Sequence, residues 1–515
     1  MKPTPEQQNA IDTRTPRGAT QVITACSGAG KTTVAVEKIK NEIRLGMRPD
    51  QVIAITFTRA GGAALQRRIG SEIRLGWAGT LHAFAMHWMR IDPARLLTED
   101  AADELLKDTL DSLRLTPTLK EARAALATPG KLMGTQRLMR DTFRAKLREQ
   151  RACTFDTVLL DFLTALEDGT TPKPQISLLL IDEAQDTAPI DAAIYEALKE
   201  PGITRTVIIG DERQAIYAFR GATPGWIRRQ QRRASAITPL TATFRCAQDL
   251  CDRANAIFPE ASMRPGAQGT SVAGLSRALR FENTRQEEDK IMNLVNALTA
   301  AGDTVAILCR TNAQVESMRD AFRKAQMRVA PRTKSTGSDV DRELTRILRA
   351  LAKDDPMSAA TDAAKNAYAD VSRFVESVLT ASTPRQAVMR MGGSDAATKH
   401  PALDESTTAA QALAYLVEGD ENRSEPVAGT TTIDTVHAAK GLEWDHVIIA
   451  GADEKAWGTR KTAEMDQEAE LAYVAITRAR FSVTVTTARH RTNAWTKASE
   501  AAQPAEIFKK AGFDF

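Results

Sequence analysis

A chain of 515 residues with 43% apolar and 26% charged side chains has the composition of a folded globular protein, and its length implies about three or four folding units. A net charge of +4 excludes a uniformly basic coat, so any nucleic-acid surface must be a local patch. No run approaches the roughly 18 apolar residues that span a bilayer, and the start, MKPTPEQQ, has no apolar signal core; a cytoplasmic protein is expected.

Short apolar runs recur along the chain: Gln21–Thr24, Gln51–Thr56, Leu178–Ile181, Thr206–Ile209, Thr304–Leu308, Val447–Ala450 and Ser482–Thr486. They are too short for buried helices and too apolar for half-exposed strands, so they read as central strands of parallel sheets. Helical stretches, among them Lys31–Leu45 and Ala60–Leu75, separate them, which predicts an α/β architecture. The strands fall into a group before about residue 240 and a group after about 300. A strand-poor helical segment, 89–165, and a weakly patterned one, 331–427, read as insertions into two α/β cores. The cores would then be 1–88 with 166–240, and 241–330 with 428–515. Five scattered cysteines, Cys26, Cys153, Cys246, Cys251 and Cys309, without a CxxC pair, read as inert thiols.

Thr24–Thr33 reads TACSGAGKTT between a predicted strand and a predicted helix. Small residues there let the backbone amides of Ala25, Cys26, Ser27, Gly28, Ala29 and Gly30 converge on phosphate oxygens at a helix N-terminus. Lys31 can reach the β- and γ-phosphates, and the Thr32 hydroxyl, followed by Thr33, can help hold Mg²⁺. The full GxxxxGK[ST] pattern would place glycine where Ala25 stands. About 150 residues on, LLLIDEAQDT (Leu178–Thr187) delivers Asp182 and Glu183 at the polar end of an apolar strand. One carboxylate can hold Mg²⁺ while its neighbour activates a water.

The order of further segments is specific. PTPEQQNAI (Pro3–Ile11), AITFTRAGGAALQRRI (Ala54–Ile69), GTLHAFA (Gly79–Ala85), LIDEAQDT, IIGDERQAIYAFRGA (Ile208–Ala222), ATFRCAQDLCDRAN (Ala242–Asn255), TIDTVHAAKGLEWDHVII (Thr432–Ile449) and LAYVAITRAR (Leu471–Arg480) occur in one series. This series resembles, in order, the motifs of the UvrD/Rep group of superfamily 1 DNA helicases. The resemblance implies two RecA-like P-loop domains with parallel sheets, each interrupted by a mainly helical insertion, the second one reduced. It implies ATP and Mg²⁺ as cofactors, single-stranded DNA and its junctions with duplex as partners, and 3′→5′ movement from the HAAKGLEW wording.

By the same resemblance Gln7 reads the adenine edge, Phe244 stacks on the base and Glu443 contacts the ribose. Gln214 senses the γ-phosphate, Asp182 ligates Mg²⁺, and Arg245 and Arg478 cross the cleft to the terminal phosphate. Thr56, Phe57, Thr80, His82, Tyr217, Phe219 and His437 stand where the family grips the strand, through base stacking and polar backbone contacts. The chain departs from the family wording at Thr33, Arg213, Phe219, Ala469 and Glu470. Spacing alone adds one feature: Arg137, Arg140, Arg144, Arg148 and Arg151 would line an arc of roughly 80° on a helix, a candidate phosphate-binding stripe. RRQQRR (Arg228–Arg233) is a second basic run. Two other readings stay open: an ATP-gated sensor working with a partner nuclease, as in anti-phage defence, and an RNA-directed motor.

Overall fold

The computed structural model describes residues 2–92, 95–97, 99–130, 132–217, 225–266, 274–330, 426–458, 462–492 and 499–515. Phe219 and nearly all of the expected second insertion lie outside these residues. Strands β1 (Thr20–Ala25), β2 (Val52–Ile55), β3 (Trp77–Gly79), β4 (Leu178–Ile181), β5 (Arg205–Gly210) and β6 (Ala236–Leu240) form one sheet in the order β3-β2-β4-β5-β1-β6. All of its pairings are parallel. After a short parallel pair, β7 (Ala242–Thr243) with β8 (Arg264–Pro265), a second sheet follows. It contains β9 (Leu275–Asn283), β10 (Val305–Cys309), β11 (Thr431–Thr435), β12 (Trp444–Ile449), β13 (Ala479–Thr492) and β14 (Ser499–Ala501). Its order is β11-β10-β12-β13-β14, with β9 also paired to β13. The expected α/β architecture with parallel sheets is therefore present; in the second sheet the edge pair β13–β14 alone is antiparallel.

The central strands are the ones whose sequences are apolar throughout; β2, β4 and β10 are buried at every position. Such strands need helices on both faces. Helices α1 (Pro5–Asp12), α2 (Lys31–Arg44) and α3 (Arg59–Ile69) supply one face of the first sheet. Four more follow in order: α4 (Leu81–Trp88), α5 (Glu99–Ser112), α6 (Leu119–Ala127) and α7 (Gly134–Glu149). After them come α8 (Phe155–Glu167), α9 (Pro189–Leu198) and α10 (Gly225–Arg233). Phe84, Phe162, Tyr195 and Trp226 from α4, α8, α9 and α10 cover the other face. The expected helix 60–75 stops at Ile69, because Gly70 takes φ +107° and turns the chain.

Two sets of polar contacts fix α1. The Lys38 ammonium, fully buried, pairs with Glu42 at 3.0 Å and donates to the carbonyls of Ile11 and Thr13. Glu6 accepts from the Thr241 amide and hydroxyl at 2.8 and 2.7 Å, just where the chain leaves β6 for the second sheet. The N-terminal helix thus braces the crossing between the lobes. One apolar core runs across that crossing, with Ala25, Cys26 and Ala29 from the first lobe packed with Cys246, Leu250, Tyr473 and Ile476 from the second.

The arginine stripe is corrected. Its residues border the buried Met139–Phe143–Leu147 face of α7, and two of them turn inward. Arg140 donates to the carbonyls of Thr128 and Gly130, and Arg144 pairs with Asp161. Arg151 lies beyond the helix at φ +52°. Only Arg137 and Arg148 stay exposed along it, and Arg137 already faces Asp141 at 3.4 Å. The remaining arc is too sparse for a phosphate track. No helix among the described residues is long and apolar enough to cross a membrane.

Lys38→Ala should lower unfolding stability by about 3 kcal/mol in urea denaturation, because it takes the nearer cation from the buried Glu42 carboxylate and leaves only Arg205, 3.8 Å away.

Candidate nucleotide site and strand-binding face

The loop after β1 turns at Gly28 and Gly30, at φ +74° and +78°, and Lys31 opens α2. Gly28 leaves no room for a side chain: a Cβ there would stand 2.5 Å from Thr243 Oγ1 and 2.7 Å from Arg245 Cβ. The second lobe therefore lies directly against the phosphate loop. Phe244 donates its amide to the Gly28 carbonyl at 2.9 Å, and its ring stands 3.9 Å from where a Gly30 Cβ would be. Gln7 donates to the Ala29 carbonyl at 3.0 Å and accepts from the Thr4 amide, so its carboxamide is spent on the loop and on the cap of α1. A base would have to displace those contacts to be read by it.

Lys31 Nζ meets Glu183 Oε2 at 2.8 Å. Burial opposes the lysine's charge, but Glu183, Asp211 and Asp182 more than offset it and hold its pKa above the ordinary value. Glu183 sits in the left-handed region at φ +52°, a conformation that costs on the order of 1–3 kcal/mol outside glycine and clusters at working sites. Burial works against its ionisation too, yet Lys31, Lys440 and Gln185 keep it well below the usual carboxylate range. Asp182 goes the other way: burial and the Glu183 charge push it up. Asp182, buried, and Glu183, partly exposed, stand side by side at the end of β4 beside Lys31. With the Thr32 hydroxyl and phosphate oxygens, the carboxylates make a hard-oxygen set suited to Mg²⁺. Thr33 instead accepts from Arg68 at 3.2 Å.

The arginines of the second lobe meet at the loop. Arg245 Nη1 and Arg478 Nη2 donate to the single hydroxyl of Ser27 at 2.9 and 2.7 Å. Arg478 also donates to Gln214 Oε1 at 3.3 Å. Burial and the neighbouring Arg245 charge lower the Arg478 pKa to about 9. Glu443 offsets this crowding, accepting from Arg245 at 2.6 Å and from Arg480 at 2.5 Å. Burial would raise its pKa, but those arginines hold it at about 2. The carboxylate expected at the ribose is therefore engaged with two guanidiniums.

Sequence reasoning quoted but did not assign several participants. Buried Asp211 accepts from Arg213, Gln214 and Tyr473, the last at 3.2 Å. The Tyr473 hydroxyl in turn accepts the Ser27 amide at 3.3 Å. Arg213, one of the departures from the family wording, also donates to the Ala25 carbonyl at 3.1 Å. Polar residues inside apolar helix and strand ends were the available signal. The pairings of Tyr473 with Asp211 and Ser27, more than 200 residues away in each case, were not. The departure from the family wording at Glu470 also has a structural consequence. Burial pushes Glu470 up to about 8 despite nearby Arg228, with Asp466 adding to the shift.

Of the expected strand-gripping residues, Phe57 and Tyr217 stack on each other, centroids 5.4 Å apart at 22°. Thr56 donates to the Thr58 carbonyl at 2.9 Å, and Thr80 caps α4 by accepting the Ala83 amide. His82 packs edge-on against Phe155, and burial drives its pKa down to about 4. It is a neutral polar contact at pH 7, with no charge to offer a phosphate. His437 lies on the short helix Val436–Ala439 after β11. The described cysteines are all buried, and burial pushes Cys153 and Cys246 up to about 11.

A P-loop and paired acids on one parallel α/β lobe, faced by two arginines from a second, define a P-loop protein with a candidate nucleotide site at an inter-lobe seam. The UvrD/REP helicase N-terminal domain model matches residues 3–129 and 135–235, and the UvrD-like helicase C-terminal domain model matches 396–490. The chain belongs to the UvrD/Rep-like helicase family. It is 26% identical to the ATP-dependent DNA helicase UvrD2 of Mycobacterium tuberculosis (strain ATCC 25618 / H37Rv), over 92% of this chain and 77% of that protein. It is 22% identical to the ATP-dependent DNA helicase PcrA of Leuconostoc citreum, over 91% and 80%. Against DNA helicase II of Escherichia coli (strain K12) it is 23% identical, over 91% and 82%.

The depressed His82 pKa has a signed consequence. Between pH 6.5 and about 4 the unfolded chain binds a proton there that the folded chain refuses, so stability falls as pH falls through that window. His82→Asn should remove about 3 kcal/mol of the difference in unfolding free energy between pH 7 and pH 4.

Proposed function

We propose that the chain is an ATP-hydrolysing DNA helicase that moves 3′→5′ on single-stranded DNA and opens duplex ahead of it, in replication, repair or recombination. Its two motor lobes would be 1–88 with 166–240, and 241–330 with 428–515. The observation that carries this reading is the convergence of Arg245 and Arg478 on Ser27, within the phosphate loop of the other lobe.

The chemistry follows from an exchange of partners. A bound triphosphate offers Lys31 a stronger anionic partner than Glu183, and the released carboxylate can orient a water and take its proton as the water attacks the γ-phosphorus. Arg245 and Arg478 leave the neutral Ser27 hydroxyl for the terminal phosphate, where guanidiniums offset the charge spread over the transferring oxygens. Such a cis-acting arginine is often worth about 10³-fold or more in rate. Thr32 and Asp182 would hold Mg²⁺, which neutralises phosphate charge. Gln214, bonded to Asp211 and Arg478, would register whether the phosphate is present. Once it leaves, the lobes lose their common anionic ligand and the cleft can reopen. If Phe57 and Tyr217 part to admit a base in one state and re-stack in the other, each cycle shifts the strand. Only such differential contact does work.

Purified chain with 3′- and 5′-tailed duplexes side by side tests this reading. ATP-dependent unwinding of the 3′-tailed substrate alone is the expected result. DNA-stimulated hydrolysis without strand separation would instead favour the sensor, and stronger stimulation by RNA the RNA motor. Lys31→Ala and Glu183→Gln should each lower the hydrolysis rate by at least 100-fold, on the order expected for loss of a charge-stabilising or water-orienting group.

A further inference from the structure

Lys440 follows the Val436–Ala439 helix of the second lobe and is nearly buried, yet every oxygen that its side chain is shown to hold belongs to the first lobe. Its ammonium donates to both carboxylate oxygens of Asp186, at 2.7 and 2.6 Å, and to the backbone carbonyl of Gln214 at 2.6 Å. It also lies 4.7 Å from the centroid of the Tyr217 ring, the ring that stacks with Phe57. Asp186 closes the tight turn that begins at Glu183, its amide bonded to the Glu183 carbonyl at 3.0 Å. Gln214 is the residue whose side chain contacts Arg478. One ammonium therefore touches the turn carrying the water-orienting carboxylate, the backbone of the phosphate sensor and the aromatic face of the proposed base platform.

We propose that Lys440 is a positioning residue that makes the geometry of the nucleotide site depend on whether the strand-binding face is occupied. Separating a buried ammonium from its anionic partner is strongly destabilising, so the Lys440 side chain and its partners move together. A nucleic-acid base that moves the Tyr217 ring changes the cation–π contact and shifts the ammonium between its remaining partners. Asp186 and the Gln214 carbonyl must follow, because burial allows no water to replace the lost partner. Through them the shift reaches Glu183 and the Gln214–Arg478 bond. The device is specific to a cation bridging the lobes. An uncharged side chain of similar length would fill the space without linking the two faces.

This inference rests on the motor reading, and the experiment separates the two. Hydrolysis is measured with and without single-stranded DNA, and nucleotide affinity is measured without DNA by fluorescence titration of a labelled ADP. Wild-type chain that DNA fails to stimulate contradicts the motor reading. With wild-type stimulation established, Lys440→Gln should lose at least tenfold of it while ADP affinity changes less than threefold, and Lys440→Arg should recover at least half of the stimulation. Retained stimulation in Lys440→Gln overturns the proposal, and so does a parallel fall in stimulation and ADP affinity, which is what mere loss of seam packing produces. The double variant Lys440→Met with Asp186→Asn leaves no unpaired buried charge and decides the matter if the single variant does not fold: lost stimulation supports the coupling role, and retained stimulation overturns it.

Discussion

One hydroxyl, that of Ser27, accepts hydrogen bonds from two guanidiniums of the opposite lobe, and the rest of the site is arranged around that contact. Two like charges share a neutral acceptor in a buried seam. Such an arrangement is costly unless counter-charge stands nearby, because little solvent remains to screen it. Glu443 supplies part of that counter-charge from beside Arg245, and the Gln214 carbonyl dipole supplies a smaller part for Arg478. A terminal phosphate in place of the hydroxyl would satisfy both arginines far better. Under the proposed function, closure of the lobes and recognition of the nucleotide become one event.

The lobes can meet in this way because their contact is specific at several points. Gly28 admits Thr243 and Arg245 where any side chain would exclude them. Tyr473 links the Ser27 amide to Asp211, and Asp211 orients both Arg213 and Gln214. Every one of these groups is buried or nearly so and has a partner, which is the condition under which a polar network adds specificity rather than strain. The same density limits how the site can move. A change at Ser27 would reach Asp211 and Gln214 through direct hydrogen bonds, Ser27 to Tyr473, Tyr473 to Asp211 and Gln214 to Asp211.

Much of this was legible in the sequence, for reasons that are local. β4 was read with its exact bounds, because a run of four apolar residues ending in two acids fits little except a buried strand. The phosphate loop was placed because glycines at positive φ and a lysine at a helix start are fixed by short-range geometry. What escaped was of two kinds. Strands at sheet edges carry mixed sequences: β6 contains Pro239, tolerated only because its far side pairs with nothing in the sheet, and β9 carries Arg277 and Arg280. Pairings set by lobe docking left no local trace either. Nothing near Lys440 announces Asp186, and nothing in the α7 arginines announces that Asp161 and two loop carbonyls would claim two of them.

The account turns on the terminal phosphate acting as the shared ligand of Arg245 and Arg478. The most direct measurement is the ratio of affinities for a non-hydrolysable ATP analogue and for ADP, in the wild-type chain and in Arg478→Ala. The wild type should prefer the triphosphate, and Arg478→Ala should lose at least tenfold of that preference while binding ADP about as well, since only the γ-phosphate contact is removed. An unchanged ratio in the variant would mean that the two lobes do not meet through the nucleotide.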